Sequence, residues 1–224
     1  MRISIVIPVL NESDHMETCL RNLQSCREAG HEIIVVDGGS RDDTLSKARS
    51  LADHAISAPR GRARQMNAGM TVAEGEVLLF LHVDTVLPED ACTLVLEGLG
   101  KSAIWGRFDV SLSGREFPFR VIEFFMNWRS RLTGIATGDQ AIFVRSDVLR
   151  EMGGFAEIPL MEDIDLSRRL KRLGRPCNLR QPVMTSSRRW EQGGVLRTVW
   201  LMWRLRFAYW CGVEPAKLAE QYRN

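Results

Sequence analysis

A chain of 224 residues with 45% hydrophobic content can bury a substantial core, which excludes a disordered tail or a collagen-like repeat. A formal charge of +2 gives no general attraction to nucleic acid, so no nucleic-acid partner is expected and anion binding must come from local clusters. No stretch reaches the roughly 20 consecutive apolar residues that a bilayer-crossing helix needs.

In chain order, "ISIVIPVL" (3–10) reads as a buried strand. A helix follows from Asp14 to Arg27, with Met16, Leu20 and Leu23 at helical spacing and Asp14/Glu17 as a capping box. "HEIIVVD" (31–37) is a second strand, 42–52 a helix, "HAISA" (54–58) a short third strand, 61–73 a helix, and "GEVLLFLHVD" (75–84) a fourth strand. Repeated strand–helix units with continuous Val/Ile/Leu runs predict an α/β fold whose mainly parallel sheet is covered on both faces.

Beyond Asp84 the pattern predicts a helix after Pro88, a strand at 103–110, and an aromatic-rich helix at 118–132 that is expected to pack into the core. A strand "QAIFV" (140–144), a "GGF" turn (153–155), a helix over 162–173 and a long helix at 195–211 complete it. With no Pro-, Gly- or Ser-rich linker and no repeat, one domain is expected over 1–224. Its parts are a half at 1–100, a second at 101–190 and a C-terminal helical segment at 191–224. The five cysteines form no CxxC pair, their number is odd, and no cleavable signal precedes the first strand. Reduced thiols and a cytoplasmic location are expected.

Open parallel sheets bind ligands beyond the carboxyl ends of their strands. There the first strand delivers "PVLNE" (8–12), the second "DGGSRDDT" (37–44) and the fourth "HVDT" (82–85). Each has an ordinary alternative: Asn11 and Glu12 can start a helix, the glycines can serve a turn, and Asp42 or Asp43 can cap the next helix. Their coincidence at one sheet edge favours a site. "RGRARQMNAG" (60–69) adds Arg60, Arg62 and Arg64, suited to phosphate, although a solvated basic helix face uses the same residues. A divalent cation lets Asp84 and a diphosphate share one space.

An ordered set of motifs spans about residues 3 to 190: "SIVIPVLNE", "EIIVVDGGSRDDT", "ARQMNAG", "LFLHVDT", "GDQAIFV", "GGF", "MEDIDLSRRL" and "RRW". Together they resemble family 2 glycosyltransferases of the GT-A fold. The resemblance implies a metal-dependent inverting transferase of the hexosyl type, moving a sugar from a nucleotide-diphosphate donor, UDP-linked by expectation, to an acceptor hydroxyl. It implies a nucleotide-binding role for 1–100 and an acceptor and catalytic role for 101–190.

By the same resemblance Pro8, Asn11, Glu12 and Asp37 hold base and ribose, Arg64 approaches the nucleotide, and Asp84 reaches a divalent cation, Mn²⁺ or Mg²⁺. Gly138, Asp139 and Gln140, with Glu162 of the ED motif, fall where the sugar and acceptor pockets form. His82 stands where many members carry the first acid of DxD. An imidazole there removes a negative charge and suits Mn²⁺ better than Mg²⁺, so Asp84 is the expected metal ligand and His82 a pocket residue. Arg189 and Trp190 match the end of a Q-x-x-R-W motif whose glutamine is replaced by Ser186, so polymer synthesis is not expected. They can line the acceptor pocket or form a surface stacking pair.

Asp163 has an independent argument. It shares a helical stripe with Leu166, Leu170 and Leu173, so its carboxylate points toward the protein body, whereas Asp165 does not. Inverting transfer needs a base on the acceptor side, and Asp163 is the candidate. A sugar-phosphate nucleotidyltransferase would want a Gly-rich basic loop after the first strand, which "PVLNESD" does not offer; a silent nucleotide- or lipid-binding module is the other alternative.

The helix at 195–211 places Leu196, Val199, Trp200, Trp203, Phe207 and Trp210 on one face, flanked by Arg197, Arg204 and Arg206. Such a helix suits peripheral contact with the inner face of the cell membrane, or packing on this domain or on a second copy. Contact with membrane goes with a lipid or lipid-linked acceptor alcohol. No segment specifies an oligomeric state.

Overall fold

The computed structural model describes residues 1–100 and 103–223, without the side chains of Arg189 and Arg223. The first half runs β1 (Ile3–Val9), α1 (Ser13–Asn22), α2 (Gln24–Glu28), β2 (Glu32–Asp37), α3 (Thr44–Ala48), β3 (His54–Ser57), α4 (Arg62–Val72), β4 (Val77–Phe80), β5 (Thr85–Val86) and α5 (Ala91–Leu99). The second runs β6 (Trp105–Leu112), α6 (Phe117–Thr133), a 3-10 turn (Gly138–Gln140), β7 (Phe143–Arg145), α7 (Ser146–Glu151), α8 (Glu162–Leu173), β8 (Cys177–Thr185), α9 (Arg188–Gly193), α10 (Val195–Trp210) and α11 (Pro215–Arg223).

One eight-stranded sheet has the order β3-β2-β1-β4-β7-β6-β8-β5. Strands β3, β2, β1 and β4 are parallel, as the apolar runs predict. From there the sheet is mixed: β7 is antiparallel to β4 and β6, β8 is parallel to β6, and β5 is antiparallel to β8.

The alternation of side chains along β1 splits the interior into two layers. Ile3, Ile5, Ile7 and Val9 pack with Met16 and Leu20 of α1, Ala48 of α3 and Val95 of α5. On the other face Val6 packs with Met66 of α4, Leu149 of α7, and Leu166 and Leu170 of α8. Each such fully buried aliphatic side chain contributes about 1.5–3 kcal/mol. Two-sided burial therefore confines the polar groups of β1 and β4 to the strand ends.

Several sequence expectations change through tertiary contacts. The helix foreseen over 14–27 breaks at Leu23, where Gln24 donates to the Leu20 and Leu51 carbonyls. No Asp14/Glu17 capping box forms. Glu12 is the N-cap, Ser13 N–H donates to Asp42, and Glu17 pairs with Arg21 at 2.7 Å. Asp42 also accepts from Thr44, so α3 starts later than foreseen.

Strand β4 stops at Phe80, and a turn closed by Thr85 N–H on the His82 carbonyl takes up 82–85. Strand β8 was not foreseen. Its Pro182 and polar residues hide it, and its pairing with β6 shifts register between Phe108 and Asp109. The aromatic helix α6 is a correction too: Phe119 and Ile122 are buried, but Phe117, Phe124, Phe125 and Trp128 are exposed. Leu173, expected inward on α8, is also exposed.

Gly69 shows how closely α4 lies on the sheet. A Cβ there would come 2.4 Å from a methyl of the fully buried Val6. Replacing a helical glycine by alanine ordinarily stabilises by up to ~1 kcal/mol. Here Gly69→Ala is expected to destabilise by about 1–3 kcal/mol through overpacking. Urea denaturation reads the sign, and a midpoint at or above the parent's would show that α4 can lift off β1.

Candidate active site

The strand ends of the first half and the helix starts of the second face one another across a cleft of about 490 Å³. Pro8 and Glu12 reach it from the end of β1, His82 and Asp84 from the turn after β4, and Gly138 and Asp139 from the 3-10 turn. Glu162 and Asp163 enter on the first turn of α8, and Trp190 on α9. A second groove of about 540 Å³ shares Pro8, Glu12 and Arg62 with it and is lined further by Arg60, Arg64 and Gln65. The two spaces form one continuous trough.

The start of α8 is tied into place by Asp163. Its Oδ2 accepts the Gly138 backbone N–H at 2.9 Å and its Oδ1 accepts from Ile164 N–H at 2.7 Å. The stripe that aims it inward is real for Leu166 and Leu170, both fully buried, whereas Asp165 turns away to pair with Arg169 at 2.8 Å. Glu162 is buried beneath, 3.4 Å from Arg62. Burial, then the neighbouring Asp163 charge, raises the Glu162 pKa.

His82 is turned toward the 3-10 turn. Its Nδ1 lies 3.3 Å from an Asp139 carboxylate oxygen, and a Cβ at Gly138 would sit 2.6 Å from its Nε2. Residue 138 thus has to be glycine for the imidazole to lie against the backbone. Desolvation by the surrounding cleft works to raise the Asp139 pKa, although the side chain keeps about half its surface in solvent. The hydrogen bond and charge of His82, with Arg62 and Arg206, outweigh it and bring the group down to about 2. Asp139 is therefore an anion under all ordinary conditions.

Asp84 lines the cleft, and its carboxylate has no hydrogen-bond donor or ion-pair partner among the described residues. Glu12, across from it, has a raised pKa, chiefly through burial; the Asp84 charge adds to this and Arg188 opposes it. No group of three or more His, Cys, Asp or Glu side chains that could hold a metal occurs among the described residues. A cation at Asp84 would thus need ligands from outside the protein, and a diphosphate with water provides oxygens of the right kind.

Other expected site residues serve the scaffold. Asp37 is buried and accepts from Gly39 N–H at 3.0 Å and from both the N–H and hydroxyl of Ser40. Asn11, at φ 53°, donates its N–H to Ser40 Oγ at 2.8 Å and accepts from Arg41 N–H at 2.9 Å. Both therefore hold the loop 37–41 and line neither space. Gln140 is fully buried, its side chain accepting from Thr137 N–H in a capping box. Arg64 borders the second groove, paired with Glu157 at 3.1 Å. The side chain of Arg189 lies outside the described residues.

Three cations stand at the site, of which Arg62 belongs to the cluster expected to suit phosphate. Arg62 joins the two spaces, and Arg188 lies 2.8 Å from His15 at the rim. Arg206 reaches the cleft from α10, near Asp139 and Asp163. Its place on the helix, off the aromatic stripe, was the available signal. Thr185 and Ser186 arrive at the end of β8, the strand the sequence hid.

Known proteins share this frame. Staphylococcus aureus TarS in complex with UDP-GlcNAc superposes with a TM-score of 0.66 at 19% identity, covering 83% of this chain and 58% of that one. The Pyrobaculum calidifontis mannosyltransferase in complex with GDP-Man and Mn²⁺ also gives 0.66, at 22% identity over 92% of this chain and 61% of that one. The likeness establishes a GT-A glycosyltransferase fold.

By sequence, an undecaprenyl-phosphate 4-deoxy-4-formamido-L-arabinose transferase of Pseudomonas fluorescens is 32% identical over 161 residues, 64% of this chain and 46% of that protein. An uncharacterized glycosyltransferase of Escherichia coli is 28% identical over 151 residues, 61% of this chain and 42% of that protein. The chain spans about half the length of the curated relatives it matches. The model of glycosyl transferase family 2 matches residues 4–152, and the chain belongs to that family.

Proposed function

We propose that this glycosyltransferase moves a hexosyl group, with inversion, from a UDP-linked donor to the hydroxyl of a lipid-linked alcohol, using a divalent cation. The observation that carries the reading is that Asp84 and Asp163 face one cleft continuous with an arginine-lined groove. The names of related proteins support the components. One structural relative is complexed with UDP-GlcNAc, another with GDP-Man and Mn²⁺, and a sequence relative is named for transfer involving undecaprenyl phosphate.

In this reading the nucleoside lies in the groove against Pro8 and Glu12, on a wall kept in place by Asp37 and Asn11, with Arg60, Arg62 and Arg64 near its phosphates. The diphosphate reaches into the cleft toward Asp84. Asp84 would hold a cation there, and the ion would supply charge neutralisation for the leaving group. His82, held against Gly138 and Asp139, shapes the sugar pocket instead of ligating the cation. The acceptor enters past Trp190 and the apolar wall of Leu160, Ile164, Met202 and Leu205.

Asp163 takes the proton from the acceptor hydroxyl as that oxygen forms its bond to the anomeric carbon. The bond from that carbon to the phosphate oxygen breaks, and its electron pair leaves with the nucleoside diphosphate. The backbone N–H of Gly138, bonded to Asp163, orients the carboxylate before transfer. Arg206 and Arg188 offset negative charge as it shifts toward the diphosphate.

Thermal denaturation with UDP, GDP or CMP, each with Mn²⁺, Mg²⁺ or chelator, tests the donor assignment. UDP with Mn²⁺ is expected to raise Tm by several degrees and UDP with chelator to do less. Stabilisation by no nucleotide under any metal condition sinks the reading. Asp84→Asn is expected to remove the metal-dependent part of the UDP shift, and an unchanged part would take the cation away from Asp84.

Asp163→Asn separates binding from chemistry. It is expected to keep the UDP–Mn²⁺ shift while turnover of a UDP-sugar falls by about 10²–10⁴-fold, the usual worth of a general base. Turnover at the parent's rate would remove Asp163 from that role.

A further inference from the structure

We propose that α6 and α10 together seat this chain on an anionic lipid bilayer, with the acceptor end of the cleft opening beside the seat. The consequence for the acceptor rests on the glycosyl-transfer reading; the seat itself does not. The two helices are neighbours. Phe119 and Ile122 of α6 pack with Val195 and Val199 of α10 around Leu112. Away from that junction each helix leaves a stripe of large apolar side chains in solvent: Phe124, Phe125 and Trp128 on α6, and Trp200, Trp203 and Phe207 on α10, all more than half exposed.

Single exposed apolar residues are ordinary on a protein surface, but a stripe of aromatics on each of two adjoining helices is not. Four of the six tryptophans are exposed, and all four lie on these helices. Indole rings favour the boundary between headgroups and acyl chains. No helix in the described residues is long and apolar enough to cross a membrane, so contact of this kind lies in the interface plane.

Charge chooses among the possible occupants. Helix α10 carries Arg197, Arg204 and Arg206 and no acidic residue. Arg204 stacks 4.9 Å over the Trp200 ring, which keeps its guanidinium beside the stripe. The one acid within α6, Glu123, is already bonded to Arg120 and to Leu112 N–H. Arg115, just before α6, and Arg197 have no ion-pair partner among the described residues. A second copy would set arginine against arginine, whereas anionic headgroups complement both stripes.

The inner sides of the same helices lead to the cleft. Met126 of α6 and Thr198, Met202, Leu205 and Arg206 of α10 line it. An amphiphile in the leaflet that the seat contacts could present its polar end to Asp163 while its chain stays among apolar side chains. Arg206 stands there without a hydrogen-bonding partner among the described residues, available to an anionic headgroup.

Vesicle flotation of the full chain, without nucleotide or metal, tests the seat. The parent is expected to float with vesicles of phosphatidylglycerol in phosphatidylcholine, with a blue shift of its tryptophan emission, and to float much less with phosphatidylcholine alone. A Trp200→Ser, Trp203→Ser, Phe207→Ser variant is expected to lose at least about tenfold in partitioning, because binding scales with the apolar area inserted. If that variant fails to fold, Phe124→Ser with Trp128→Ser on α6 makes the same measurement.

No flotation by the parent, or flotation that survives these substitutions, overturns the proposal. Equal flotation on phosphatidylcholine alone overturns the choice of an anionic bilayer. A parent dimer that the same substitutions dissociate in sedimentation, without vesicle binding, assigns the face to a second copy and overturns it as well. The UDP–Mn²⁺ thermal shift on the same preparations keeps the two readings apart. No flotation by the parent with an intact shift sinks the seat alone, and no shift for the parent with intact flotation sinks the transfer reading alone.

Discussion

Burial of β1 and β4 on both faces is the constraint from which the site follows. Val6 is enclosed by α4 and α8 and Ile5 and Ile7 by α1, so a charged side chain at these positions would have no water and no partner. Polar groups become permissible only where the strands run out. Hence Pro8 lies at the end of β1 just before Val9 and Glu12 follows the strand, Asp37 ends β2, and His82 and Asp84 follow β4, all along one edge. Gln65 completes that edge by donating to the carbonyls of Val9 and Val36, which holds the ends of β1 and β2 together beside the groove.

Concentrating carboxylates at one edge raises an electrostatic problem that the second half of the chain answers. Asp163 lies close enough to Glu162 for its charge to add to burial in raising the Glu162 pKa. Arg62, His82 and Arg206 are interleaved among the carboxylates. The outcome differs by position: Asp139, bonded to His82, stays ionised down to about pH 2, whereas buried Glu162 titrates above its ordinary value. The cleft is therefore mixed in charge, which suits a ligand that brings phosphates and a cation together more than it suits a bare anion.

How much of this was legible follows from which forces were local. The parallel half was legible because uninterrupted Val/Ile/Leu runs admit few other readings, and the turn at 82–84 because its polar residues end such a run. The inward aim of Asp163 was legible from its spacing to Leu166 and Leu170, whereas its proposed role as base came with the family resemblance. Asn11 and Asp37 sat at the correct edge, yet their side chains are consumed by the loop 37–41. Sequence shows a polar residue near a site without showing which backbone N–H groups will claim it. Strand β8 was hidden because its conformation is imposed by pairing with β6 across a register shift, a long-range cause with no local pattern. The partial exposure of α6 was misread for a similar reason, since an aromatic run looks the same whether a neighbour covers it or not.

Helix α10 shows why the two halves of the function need not be separate designs. Its residues Thr198, Met202, Leu205 and Arg206 line the cleft while Trp200, Trp203 and Phe207, on the opposite side, stand in solvent. A rigid helix transmits position between its faces without any change of conformation. Whatever fixes the outer face also fixes Arg206 relative to Asp163, because Leu205 between them is fully buried against Met161, at the entry to α8, and Leu218 of α11. A partner bound to the stripe would thus act on the acceptor end of the cleft through packing alone. The family match over residues 4–152 ends before α8, so the base candidate and this helix belong to the part of the chain that lies outside the matched segment. On the proposed reading, much of the acceptor side is accordingly formed by residues beyond the match, and the donor side by the strand ends within it.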